Sequence, residues 1–319
     1  MTFLLCCSIH GVRPCLDGMA AVPMCIGPMA RDVDSLVLTM KAIWCDEHFQ
    51  LDPNVPPLYF NEKSFSSVAP LRIGYYEEDG FFQPNPSMRR ILLETKKLLE
   101  AAGHQLIPFS PPRVDFVYNL FVKTLFGDGG KPLEHKFDNN IVDPNLRENY
   151  RLCKMSAVVK QLIAFCLRPI FPRISKVVHS SVGARSLMDS WADQTALQDY
   201  QAEFISEWRK LGLDVVLCPM LGPAFNKGYA ARLLATISYT MLYNVLQFPA
   251  GVVPVGSVTR DDEEELKNYR GYDNDPWDWL YREALSGGVG LPLSVQCVAL
   301  PYQDELCLRL MKEVETLRR

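Results

Sequence analysis

Hydrolytic or transfer chemistry needs a nucleophile beside a base, converging metal ligands, or backbone amides turned toward an anion. The five histidines, His10, His48, His104, His135 and His179, are scattered. Cys45-Asp46-Glu47-His48 puts four ligand types in a row, but adjacent side chains cannot all converge on one ion, so no metal is expected. The ten cysteines include no CxxC pair. Several, such as Cys218 in DVVLCP and Cys297 in LSVQCVAL, sit in apolar runs and read as buried free thiols in a reducing compartment. There is no GxSxG elbow, HExxH motif or Walker loop. The turns Asp128-Gly129-Gly130-Lys131 and Ser286-Gly287-Gly288-Val289-Gly290 could cradle an anion, or be ordinary flexible connections.

The elements that must position such residues alternate. Val33, Leu36, Val37, Met40, Ile43 and Trp44 recur at helical spacing behind Asp32, a capping residue. Leu71–Tyr76 reads as a strand, Ser87–Ala102 as a helix ended by Gly103, and His104–Phe109 as a second strand. The pattern resumes with a helix over 184–211, a buried strand at Leu213–Cys218 and a helix over Thr236–Leu246. Gly251–Val255 and Leu293–Ala299 follow as strands, separated by a charged loop over 260–279, and Asp304–Leu317 closes as a helix. Strand-helix-strand alternation of this kind predicts a layered α/β fold.

With 48% hydrophobic and 22% charged residues and a net charge of −4, the 319-residue chain has a globular composition. A pI near 5.8 argues against a nucleic-acid partner. The first 14 residues are too short and too poor in basic residues for a signal peptide, and no segment reads as a transmembrane helix. Residues 149–188 stand apart. They contain no acidic residue, while Arg151, Lys154, Lys160, Arg168, Arg173, Lys176 and Arg185 are all basic. Pro169 and Pro172 are expected to break this apolar stretch into two short helices. Two readings stay open: a monotopic surface that sets apolar side chains against acyl chains and cations against head groups, or a core helix pair with a solvated basic edge.

Several stretches then point to one family. GPMARDVDSL (from Gly27) resembles the segment that follows the signature region of amidase-signature enzymes, serine amidases with a Ser-cisSer-Lys triad. Pro219–Pro223, Phe248–Val255 and Gly290–Gln296 resemble further family segments in the same order. VDSLVLTMKAIW, RPIFPRI, ISYTMLYNVLQFPAGVVPV and GLPLSVQCVALPYQDELCLR are similar to its fatty-acid amide hydrolase branch, and the resemblance runs from about residue 18 to the C-terminus. It implies the C-terminal part of an α/β/α fold around a twisted mixed sheet, with an inserted helical membrane cap at 149–188. On this reading 1–17 is a divergent N-terminal segment and 18–319 an incomplete amidase-signature domain.

The resemblance also implies a function: hydrolysis of long-chain fatty-acid amides to fatty acid and amine, with no metal or organic cofactor. The implied setting is intracellular, peripheral on the cytosolic face of internal membranes, with a homo-oligomer left open. Leu125, Phe126, Ile237, Met241 and Trp277 resemble positions lining the family's acyl channel, and Phe81 is a further aromatic candidate. Met241 and Ile237, spaced i and i+4, are expected on one helix face. Val159, Ile163, Phe165, Ile170 and Phe171 are the cap residues expected at the membrane, and Val178 and Val182 stand where the family usually has aromatic or Met side chains. The triad does not carry over. Its residues precede a GLKPT-like stretch, here Gly11-Val12-Arg13-Pro14-Cys15, and no Gly-Gly-Ser-Ser signature occurs in the 319 residues. The expectation is a chain with no catalytic residue of its own and inactive alone, since losing nucleophile and base together removes nearly all of such catalysis. The alternative is a non-catalytic, truncated paralogue that binds lipid or membrane.

Overall fold

The computed structural model describes residues 2–3, 21–22, 25–137 and 140–318. The GLKPT-like stretch, His10 and most of 1–17 lie outside them. Along the chain run β1 (Thr2–Phe3), α1 (Val33–Ile43), α2 (Asp46–Leu51), α3 (Glu62–Phe65), β2 (Arg72–Tyr75), α4 (Pro86–Ala101) and β3 (Gln105–Pro108). A helical stretch follows: α5 (Val114–Leu125), α6 (Lys131–Phe137), α7 (Arg147–Lys154), α8 (Ala157–Leu167), α9 (Pro172–Ser180) and α10 (Leu187–Lys210). The last part holds β4 (Val215–Pro219), α11 (Ser238–Leu246), β5 (Ala250–Ser257), α12 (Arg260–Leu266), α13 (Pro276–Leu285), β6 (Pro292–Ala299) and α14 (Asp304–Arg318).

The strands form one mixed sheet in the order β1-β5-β6-β4-β2-β3. β2 pairs in parallel with both β3 and β4, whereas β6 runs antiparallel to β4 and β5. Successive side chains of a strand point to opposite faces, and here both faces are covered. Val215 and Leu217 face one core with Ile73, Val295 and Cys297, packed by α1, α4 and α14. Val216 and Cys218 face the other, with Val298 and side chains of α5, α10, α11 and α13. This is the expected α/β/α layering.

Most element assignments hold to within a few residues, and the departures have local causes. Asp32 caps α1 by accepting Ser35 N–H at 2.7 Å. The expected two short helices form, with Pro169 in the break at 168–171 and Pro172 opening α9, because the first helical position needs no N–H. The long helix starts at Leu187, behind Ser186 as N-cap. The charged stretch 260–279 is not a loop throughout: capping boxes at Thr259/Asp262 and Asp275/Asp278 start α12 and α13. Residues 114–137, assigned no element above, form α5 and α6.

Candidate functional site

The six expected channel residues converge on one core. Phe81, Phe126 and Met241 are buried members of the cluster on the α10–α11 side of the sheet, and Leu125, Ile237 and Trp277 pack against it half-buried. Phe81 stacks on Tyr118 with ring centroids 4.3 Å apart. One expectation needs correction. Ile237 is not on the helix of Met241; it ends a 3-10 turn, Leu234–Ile237, and serves as the N-cap of α11. Its i, i+4 spacing to Met241 is therefore not that of two residues inside one α-helix.

Three polar groups fix the loop that carries Phe81. Asp79 Oδ1 accepts the N–H groups of Phe81 at 2.8 Å and Phe82 at 2.9 Å. Tyr239 donates its hydroxyl to Phe82 O at 2.5 Å. Arg173 of α9 donates Nη1 to Phe81 O at 3.0 Å. Burial pushes the Asp79 carboxyl up to about 6, against the lowering effect of these backbone donors. Ser238 lies near enough to draw it down somewhat, although neither Asp79 Oδ2 nor Ser238 Oγ meets hydrogen-bond geometry.

Arg173 also clasps the start of α13. Its Nη2 lies 2.7 Å from Asp275 Oδ1 and 3.0 Å from Asp278 Oδ1, and its Nε 3.1 Å from Asp273 Oδ2. The rings of Phe82 and Trp277 flank the guanidinium at 5.0 and 5.7 Å. Asp275 is the N-cap of the helix carrying Trp277, so one buried arginine ties α9 to two expected channel aromatics. By its type and neighbours in the sequence, Arg173 is indistinguishable from the surface cations of its segment. Its partner Asp275 is 102 residues away along the chain, in a stretch that reads as a charged loop.

Lys160 departs from expectation in the same way. It is 1% exposed, donates Nζ to Ser181 O at 2.9 Å and lies 5.6 Å from the Phe126 ring centroid. Burial pulls its ammonium pKa down. The acid-free segment thus spends two cations on internal packing. Around them α8 and the turn to α9 expose apolar surface: Val158 and Phe165 are each 74% exposed, Ile170 65%, Leu162 61% and Val159 43%. Ile163 and Phe171 are half-buried. Arg151, Lys154, Arg168 and Arg185 of the same segment are exposed, while Lys176 lies 3.8 Å from Asp115. Val178 and Val182 are half-buried.

The remaining candidates make contacts within the chain. Gly130 N–H is taken by Asp128 Oδ1 at 2.8 Å and Gly287 N–H by Glu263 Oε1 at 2.7 Å, so both glycine turns spend an amide on a side chain of the protein. Asp46 accepts the Tyr59 hydroxyl, and no group of three possible metal ligands occurs among the described residues. The seven described cysteines are free; Cys153, Cys218, Cys297 and Cys307 are buried, but Cys25 and Cys166 are exposed. No helix of the described residues is long and apolar enough to cross a membrane.

A two-sided mixed sheet with this order of segments defines the class: the chain belongs to the amidase family, whose model matches residues 6–308. Within it, the chain is 48% identical over 311 residues to Fatty-acid amide hydrolase 1 of Sus scrofa, covering 97% of this chain and 54% of that protein. It is 39% identical over 293 residues to Fatty acid amide hydrolase 1 of Caenorhabditis elegans, covering 91% and 50%. The chain thus spans about half the length of these curated relatives. A solved fatty acid amide hydrolase structure shares the fold at a TM-score of 0.72 and 20% identity, over 97% of this chain and 51% of that one.

Proposed function

We propose that this chain is the acyl-binding and membrane-facing portion of a fatty-acid amide hydrolase, and that it does not cleave amides by itself. One observation carries the reading: the exposed apolar surface of α8 and the following turn lies in the same segment as Arg173, which binds the Phe81 loop and the helix of Trp277. A lipid leaving a bilayer along that face would meet the aromatic core through elements already joined by hydrogen bonds. Exposed apolar side chains and exposed cations in one segment suit an interface in which the former enter the acyl region and the latter meet anionic head groups. The names of the relatives add the substrate class, fatty-acid amides.

Inactivity is proposed because amide hydrolysis needs an activated nucleophile, a proton shuttle and oxyanion donors. In the resembled family these belong to a serine signature that the 319 residues do not contain. A serine-reactive fluorophosphonate probe tests this directly: purified protein is expected to bind a fluorescent fatty-acyl amide yet remain unlabelled. Serine labelling, or oleamide turnover, would overturn the inactive reading. For the membrane, replacing Ile163, Phe165 and Ile170 with Ser is expected to abolish co-sedimentation with liposomes, and unchanged pelleting would remove the interfacial role of α8 and α9.

A further inference from the structure

A cleft of about 410 Å³ opens at the C-terminal end of α9. Lys123 of α5, His179 and Ser180 of α9, Arg185 and Asp189 line it, with Gly183 at its turn. Gly183 is required there. Its φ is +80°, and a Cβ at this position would collide with the Phe126 carbonyl. The turn is further held by Ala184 N–H donating to Gly127 O at 3.2 Å. The cleft is therefore built on packed backbone.

Its hydrogen-bonding inventory is unbalanced toward donors. Of the two carboxylates at hand, Asp193 pairs with Lys123 Nζ at 2.7 Å, and Asp189 accepts the backbone N–H of Arg185 on Oδ2 at 3.2 Å and keeps its charge at the cleft. Ser180 Oγ lies 3.3 Å from Asn119 Oδ1. Among the described residues, neither the Arg185 guanidinium nor the His179 ring has a hydrogen-bond or ion-pair partner. A guanidinium offers up to five N–H donors in a fork that matches the oxygens of a phosphate, and a ring N–H can add one more.

We infer that this cleft is a phosphate-ester site in which the Arg185 guanidinium and the His179 ring grip the phosphate oxygens, with the head group of a bilayer phospholipid as its natural source. The phosphate chemistry stands on the cleft alone; only its lipid source rests on the membrane reading above. α9 carries the cleft at its C-terminal end and follows directly on the turn holding Ile170 and Phe171, so a seated head group would fix how α9 meets the bilayer.

Two arms test this on the full 319-residue chain, comparing wild type with Arg185→Gln and with Arg168→Gln, which removes an exposed cation of the same segment outside the cleft. In the first, inorganic phosphate is titrated while the His179 ring protons are followed by NMR; a saturable shift is expected in wild type and R168Q and its loss in R185Q. In the second, affinity is measured for phosphatidylcholine vesicles with and without phosphatidic acid. Each variant loses the diffuse attraction of one cation, roughly five-fold. R185Q is expected to lose roughly ten-fold more for the phosphatidic-acid vesicles, because charge-assisted hydrogen bonds go as well. Both residues are exposed, so matching unfolding midpoints are expected to exclude a folding defect. A saturable shift with equal vesicle losses supports the phosphate site and assigns it to a soluble phosphate instead. Excess vesicle loss in R185Q supports the lipid source whether or not free phosphate binds. Absence of a saturable shift together with equal vesicle losses refutes the site. Failure of every protein to bind vesicles bears on the membrane reading alone and leaves the phosphate titration to decide the site.

Discussion

Asp79 is the most informative single perturbation in this molecule. Its carboxyl holds the Phe81 loop through one oxygen, while the other lacks a hydrogen bond in a buried setting. Burial raises it from 3.8 to about 6. A carboxyl raised on folding favours the folded state while protonated, so its contribution is fully present below pH ~3.8 and lost as pH climbs through ~6. A rise of roughly 2 pH units corresponds to about 3 kcal/mol at about 1.36 kcal/mol each. Asp79→Asn keeps the Oδ1 acceptor for both N–H groups and removes the ionisation. The expected result is that the stability of D79N relative to wild type grows by about 3 kcal/mol between pH ~4 and pH ~7, whatever the constant offset of the substitution. Urea unfolding at intervals across that range reads it. Burial also raises Asp304, with the same sign, but both proteins share that group, so it cancels in the difference. Parallel pH profiles for D79N and wild type would refute the argument that buried ionisation at Asp79 opposes folding.

Other consequences follow from the same contacts. Arg173→Met leaves Asp275 and Asp278 buried without their cation and is expected to cost about 3–5 kcal/mol in urea unfolding; a loss below about 1 kcal/mol would show that the clasp is not closed in solution. Gly183→Ala forces a Cβ against the Phe126 carbonyl at a positive φ, with an expected loss of at least about 1–3 kcal/mol by the same measurement. Phe165→Ser changes a largely exposed side chain, so unfolding free energy is expected to stay within about 0.5 kcal/mol while liposome pelleting falls.

What the sequence determined by itself was the set of periodic elements and their order. Apolar spacing placed α1, α4, α14 and all the longer strands, because a helix or strand that buries one face must repeat its apolar residues at its own period. The capping patterns of α12 and α13 were equally local, although the charge density of 260–279 hid them. Sequence could also gather the six expected channel residues through a resemblance, without saying how they meet.

Only tertiary structure decided which polar residues are buried. Arg173 and Lys160 look like the other cations of an acid-free segment, yet one closes on three aspartates from the α13 region and the other on the carbonyls of Gly129 and Ser181. Nothing local distinguishes them from Arg168 or Arg185, because burial depends on what a distant part of the chain brings to the same place. The same holds for Asp79, an ordinary acidic residue after a strand until Tyr239 and Arg173 close over its loop. Periodicity is a property of neighbours along the chain; desolvation is a property of neighbours in space.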